Sequence, residues 1–296
     1  MGVKGERFEE KLGKSGWISL IVAVILAIFP IYWIICTSLK PQIEWLAVPP
    51  VWIPSKLDFT NYLALFTGKS YAASPYGEES FTLLITPVQR AILGSAVCAT
   101  GGTVLSIVVG LLAAFGISRH KIGGGFFPLF VLSARMIPPV CALIPIIVLY
   151  STLRLADTYM GIILAYGLFT SPYSVWMIRS FIDEVPVQLE ESAMVDGLSP
   201  LSAHFKVTLP LIKGGVLATT LFVAVLNWSE FLFAYTLSHK NVITIPVQEM
   251  YFQAAYGILY GPQSALGIIA IIPLMIFGYS IQRYLARGLT FGAVKR

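Results

Sequence analysis

Gly-Lys-Ser triplets, histidines, cysteines and acids within apolar runs are the places where this sequence could carry chemistry. Gly13-Lys14-Ser15 and Gly68-Lys69-Ser70 look like the end of a phosphate-binding loop, in which backbone amides and a lysine cradle a polyphosphate. Such a loop needs another glycine five positions before the second, where Phe8 and Leu63 stand, so both triplets read as decoys. His120, His204 and His239 fall in or beside polar segments, and no His-Glu-x-x-His or Gly-x-Ser-x-Gly pattern supplies a metal pair or an activated serine. Cys36, Cys98 and Cys141 lie far apart in or beside apolar runs, which reads as packing and speaks against a zinc site or a disulfide. No catalytic residue, metal or resident cofactor is expected.

The polar stretch that stands out is Glu190-Glu191-Ser192-Ala193-Met194-Val195-Asp196-Gly197, followed by Leu209-Pro210. Pro186 suits a helix's first turn, Val187 to Val195 is good helix material, and Gly197 fits a left-handed stop. A second start follows, with Ser199 as cap and Pro200 at the first position, and Leu201, Phe205 and Leu209 recur every four residues until Pro210 breaks the run. The spacing predicts two short helices joined at a glycine, over about 182–211. Acids on the first and an apolar face on the second suit a groove lined by arginine and apolar side chains on a soluble partner. The alternative, an amphipathic hairpin lying on the inner leaflet, fits poorly with acidic pairs facing anionic lipid.

What must position this hairpin is a membrane protein. Of 296 residues, 56% are hydrophobic and 12% charged, and the mean hydropathy is +0.78, too few charges to cover a soluble globule. A hydrocarbon core of about 30 Å needs roughly 20 apolar residues per helix, and continuous runs rather than alternation select helices over a barrel. Spans are expected at about 17–38, 88–117, 124–151, 158–180, 212–237 and 264–286. The segment 1–16 precedes an uncleaved first span, since the run is too long for a signal peptide, and residues 17–296 form one transmembrane domain.

Orientation follows from lysine and arginine. With both termini inside, the inner segments hold Lys4, Arg7, Lys11, Lys14, Arg119, Lys121, Arg179, Lys206, Lys213, Arg283, Arg287, Lys295 and Arg296. The outer ones hold Lys40, Lys56, Lys69, Arg90, Arg154 and Lys240 despite containing the longest loop. The net charge of +5 thus reflects topology and gives little support to nucleic-acid binding. The outer segments 39–87 and 238–263 are rich in aromatics, including Trp45, Trp52, Tyr62, Tyr251 and Tyr256, either as an interfacial belt or as a surface for a partner outside.

Within the spans, polar residues mark a possible pathway. Glu230, beside Asn227, Trp228 and Ser229, is the only carboxylate inside a span, and either lines the path or locks helix packing. Arg135 is the other buried ion. Phe169, Tyr173 and Trp176 share a helical face that either stacks on the apolar face of a ring or packs. Gly94, Gly101, Gly102 and Gly110, with Pro138, Pro139 and Pro145, are places to bend or to pack closely.

Glu191-Ser192-Ala193 with Asp196-Gly197 and Leu209-Pro210 resembles the Glu-Ala-Ala loop of the membrane subunits of bacterial ABC importers, Ser192 replacing the usual middle alanine. Thr37-Ser38-Leu39-Lys40-Pro41, Pro49-Pro50-Val51-Trp52-Ile53-Pro54, Asn61-Tyr62, Arg135-Met136-Ile137-Pro138-Pro139, Trp228-Ser229-Glu230-Phe231 and Gly288-Leu289-Thr290-Phe291-Gly292 extend the likeness to the carbohydrate branch, and within it to the six-span permease kind. The resemblance implies an all-α integral membrane permease fold with about six spans, in the bacterial inner membrane. It makes the hairpin, with Glu190, Glu191, Ser192, Ala193, Asp196 and Gly197, a coupling helix for a separate ATPase that holds ATP and Mg, and it puts Thr290 to Lys295 near that ATPase. It further implies a second permease subunit, two ATPase copies, an extracytoplasmic solute-binding protein, and import of a mono-, di- or oligosaccharide or related polyol by alternating access. A stand-alone secondary transporter or channel is the alternative; it would want several intramembrane carboxylates or an internal repeat, and neither is visible.

Overall fold

The computed structural model describes residues 14–72, 81–84, 87–254 and 257–292. Lys4, Arg7 and Lys11, residues 73–80, Tyr256 and residues 293–296 lie outside the described residues. The chain opens with α1 (Lys14–Ser38), apolar on all sides and packed chiefly on the last helix. A short 3-10 turn (Gln42–Glu44) and α2 (Thr60–Thr67) follow, α2 ending at Gly68 with φ 74°. Strands β1 (Lys69–Ala72) and β2 (Phe81–Leu84) pair antiparallel, Lys69 opposite Leu84. Then come α3 (Gln89–His120), α4 (Phe127–Ser133), α5 (Pro139–Thr152) and α6 (Tyr159–Asp183). The hairpin is α7 (Val187–Val195), α8 (Pro200–Ala203), a π turn (His204–Thr208) and α9 (Leu209–Leu211). It leads into α10 (Lys213–Trp228), α11 (Leu232–Leu237), α12 (Ile245–Met250), a two-residue hairpin of β3 (Gln253–Ala254) and β4 (Gly257–Ile258), and α13 (Tyr260–Gly292).

Among the described residues, four helices are long and apolar enough to cross a membrane uninterrupted: Gly16–Ser38, Gln89–His120, Tyr159–Asp183 and Tyr260–Ser280. They coincide with the expected first, second, fourth and sixth spans. The expected third and fifth are broken helices. Residues 124–151 divide into α4 and α5 because a residue before proline is driven to extended backbone, and Pro138, preceding Pro139, has ψ 131°. Residues 212–237 divide into α10 and α11 around Ser229 to Phe231. The second hairpin helix also departs from expectation: it runs past Pro210 and turns at Ile212, where the axis swings through 80° into α10. A widened π turn, in which Leu209 N–H donates to the His204 carbonyl, leads into the proline, whose missing N–H no longer breaks the helix.

The core is organised along α3. Gly94, Cys98, Gly102, Ser106, Gly110, Ala114 and Ser118 recur every four residues, and all are buried. This small-residue stripe lets backbones approach closely where lipid offers no hydrophobic drive between helices. A Cβ on Gly110 would lie 2.4 Å from the Ser174 Cβ, one on Gly102 2.6 Å from the Tyr166 Cβ, and one on Gly94 2.0 Å from the Ile243 carbonyl oxygen. Ser106 and Ser174 hydroxyls bond across the α3–α6 contact at 2.7 Å. The glycines of this helix therefore serve packing, and α3 is continuous over 32 residues, about 48 Å at 1.5 Å per residue.

Replacing Gly110 by Val should overpack this contact at a cost of about 1–3 kcal/mol. Thermal unfolding of the detergent-purified protein should show a clear drop, whereas Gly125→Ala, at a position with nothing near its missing Cβ, should leave the midpoint close to that of the parent.

Candidate functional site

The hairpin forms as its caps dictate. Pro186 sits in extended backbone before α7, and Gly197, at φ 96°, ends it: Leu198 N–H donates to the Ala193 carbonyl at 3.1 Å and Gly197 N–H to Met194 at 3.0 Å, the paired bonds of a left-handed helix stop. Ser199 then caps α8 by accepting from the Ser202 N–H at 3.3 Å. These caps stiffen the loop from within. Its outward side carries Glu191, Ser192, Asp196 and Gly197, all exposed, with Ala193 half-buried. Beside them are exposed apolar side chains, Leu189, Leu201, Phe205 and Val195, the last 88% exposed.

Glu190 faces the other way. It is buried, one carboxylate oxygen 3.1 Å from Arg119 Nε and the other accepting from the Thr208 hydroxyl. The same guanidinium donates through Nη2 to the Val185 carbonyl at 2.9 Å, and Ser118 donates to Asp183. His204, fully buried, stacks on Phe115 at 4.1 Å, with Nδ1 3.8 Å from Glu190, an electrostatic contact beyond hydrogen-bond range. Burial pushes the His204 imidazole below its ordinary value, Glu190 pulls it up, and Arg119 adds to the lowering. Adjacent acids thus face opposite ways, and Arg119, Thr208 and His204 are partners of Glu190 that the sequence analysis did not assign.

The intramembrane set is brought together only in part. Asn227 is buried and donates to the Thr103 hydroxyl at 3.1 Å, and Trp228 Nε1 donates to the Ala270 carbonyl at 3.1 Å. The Glu230 carboxylate accepts from the Phe233 N–H at 3.0 and 3.2 Å and from Ala234 at 3.3 Å, capping α11 where the fifth span is broken. This geometry is that of a helix cap. Arg135 does not pair with it: its guanidinium lies 3.9 Å over Phe169 and 4.2 Å over Tyr173, with Nη1 donating to the Phe169 carbonyl at 2.7 Å. Tyr173 meets Phe222 edge-on, while Trp176 is exposed, so the aromatic stripe is not one surface.

At the opposite end, Asp157 is another residue that sequence reasoning missed. It sits at φ 55°, and its carboxylate gathers the amides of His239, Lys240, Asn241 and Val242 at 2.9 to 3.2 Å. Burial raises its pKa, but the four amides together hold it below the ordinary aspartate value. Its partners are more than eighty residues away, which no local pattern reports. Cys36 and Cys98 are buried thiols and Cys141 an exposed one; no cluster of metal-ligating side chains occurs among the described residues.

Residues 106–291 match the family of binding-protein-dependent transport system inner membrane components. The chain belongs to that family. It is 31% identical to a probable ABC transporter permease of Sinorhizobium fredii, over 93% of this chain and 92% of that one. It is 30% identical to the trehalose/maltose transport system permease of Thermococcus litoralis, over 94% and 95%. The fold matches a chain of a bacterial ABC transporter involved in import of the acidic polysaccharide alginate, with a TM-score of 0.73 at 19% identity, over 96% of this chain and 99% of that one. The protein is therefore a multi-pass membrane permease of the ABC importer kind, and the hairpin lies inside the matched region.

Two measurements test this geometry. A neutral, buried His204 contributes stability that is fully present above the ordinary histidine value near 6.5 and is lost as pH falls through it toward the lowered folded value. The melting temperature of the parent should therefore fall between pH 7 and pH 5 by more than that of His204→Phe. Asp157→Ala should leave the amides of 239–242 unpaired, and their hydrogen exchange should rise at least tenfold, about 1.4 kcal/mol of lost protection, in line with one charge-assisted hydrogen bond.

Proposed function

We propose that this chain is the permease subunit of an ATP-driven, binding-protein-dependent importer of a carbohydrate, and that its hairpin is the contact for a separate ATPase. The observation that carries the reading is a doubly capped hairpin in a member of this family, with Glu191, Ser192, Asp196 and Gly197 exposed beside Leu201 and Phe205. Carbohydrate is favoured because the Thermococcus litoralis relative transports trehalose and maltose and the alginate transporter a polysaccharide. The excess of lysine and arginine at the hairpin end favours both termini inside. Partners on this reading are a second permease, two ATPase copies carrying ATP and Mg, and an extracytoplasmic solute-binding protein.

ATP binding would close the ATPase pair, drag the hairpins together and shift the permeases from inward-open to outward-open, and hydrolysis would reset them. Force passes only through a stiff contact, and the caps at Gly197 and Ser199 provide stiffness without bulk. Gly197 adds a second constraint: at φ 96° any side chain is strained, although there is open space around it.

Glu191→Ala, or Gly197→Leu, should leave membrane insertion intact and cut binding-protein-dependent uptake at least tenfold in proteoliposomes of the whole complex, with uptake per ATP hydrolysed falling too. Unchanged uptake in both variants would defeat the assignment of the hairpin. The chain reconstituted alone should show no sugar uptake on a proton or sodium gradient; finding it would favour a stand-alone secondary transporter.

A further inference from the structure

The hairpin belongs covalently to α6 and α10, yet the side it buries is fastened to the last turns of a third helix. Phe115, Ser118 and Arg119 of α3 touch, respectively, His204 in the π turn, Asp183 at the end of α6, and both Val185 and Glu190. The Arg119 and Glu190 side chains are 8% and 7% exposed. Each oxygen of Glu190 accepts within the chain, from Arg119 and from Thr208, and burial turns the carboxylate away from a partner. From this end α3 runs unbroken through the molecule. Thr103 accepts from Asn227 in α10, and Ser95, near the far end, accepts from the Ile245 N–H at 2.7 Å, at the start of α12.

We propose that Arg119 and Glu190 are positioning residues that latch the hairpin to α3, so that α3 carries the hairpin's displacement to the opposite end of the chain. Of the two adjacent acids only Glu191 then faces the ATPase. The inference rests on the reading of the hairpin as the ATPase contact and adds the route by which its motion leaves it. A buried ion pair suits such a latch: with one member removed the other is left charged and unpaired, so the closed arrangement is strongly preferred while both are present. The stacked His204 and Phe115 rings beside it resist sliding.

The test uses the complete complex in lipid nanodiscs, with this chain carrying Cys141→Ser and nitroxide-labelled cysteines at Val187, at the start of α7 and away from the outward face, and at Leu112, both exposed. Spin–spin distances are measured without nucleotide and after trapping with ADP and vanadate. In the parent the separation should agree between the two states within about 2 Å, the scale of small helix shifts. In Glu190→Gln, and independently in Arg119→Gln, it should change on trapping by about 5 Å, roughly one helical turn. A parent distance that itself changes by about 5 Å overturns the latch whether or not either variant assembles, and so do variants whose distances track the parent's. Failure of the ATPase to co-purify with the parent would instead overturn the underlying reading of the hairpin. Co-purification with both variants at parent levels is expected, because neither residue meets the ATPase.

Discussion

The close approach of α3 and α6 conditions everything else in the molecule. At Gly102 and Gly110 the partner helix occupies the volume that a Cβ would need, and between them two serine hydroxyls bond across the contact. In lipid this is a sound way to join helices, because apolar side chains gain nothing from leaving hydrocarbon while close backbones and satisfied hydroxyls do contribute. The consequence is geometric. With α3 pressed against α6 along its length, its last turn arrives beside the end of α6 and the start of the hairpin, where Ser118 and Arg119 find Asp183, Val185 and Glu190.

That arrival gives the hairpin two unlike faces. The inner face is a buried polar cluster, costly to desolvate and costlier to break once formed, which makes it a device for holding one arrangement rather than a source of net stability. The outer face is exposed, mixed acidic and apolar, and has small residues at Ser192, Ala193 and Gly197. A partner pushing on such an element moves it as a unit, because its helices are capped at the joint and its back is fastened. The capped joint and the latch answer separate needs: the caps keep the loop from folding on itself, and the latch keeps it from pivoting about its two covalent ends.

How much of this was legible in the sequence depends on the range of the interaction. Pro186, Gly197, Ser199 and Pro200 act within a few residues, so both helices and their joint could be placed in advance. The period-four recurrence of small residues in the second span was visible as glycines that could bend or pack; the seven-residue stripe in one unbroken helix shows packing. Glu190 and Glu191, by contrast, look alike in sequence, and only about 100° of helical rotation separates them. Which one turns inward is decided by Arg119, 71 residues earlier. Glu230 was placed inside a span because apolar runs measure composition and not continuity; the chain breaks there, and the acid caps the helix that restarts. The pairing of Asp157 with 239–242 is equally non-local.

The distribution of broken and unbroken helices bears on how the chain could move. α3 is one rod, whereas the third and fifth spans are each divided, at Ala134 to Pro138 and at Ser229 to Phe231. Bending is inexpensive where the ladder of backbone bonds is already interrupted and the freed groups have found side-chain partners, as the amides of Phe233 and Ala234 have in Glu230. A rod fastened to the hairpin at one end and to Ile245 at the other, flanked by two jointed spans, is a lever with compliant neighbours. Motion delivered to the hairpin would then be expressed as rotation of α3 and α6 together, with the change of backbone angle absorbed at the two breaks rather than spread along every helix. Arg135, lying over Phe169 and Tyr173 at one of those breaks, joins it to α6, so that in such a motion the third span would follow the rod rather than remain behind with the lipid.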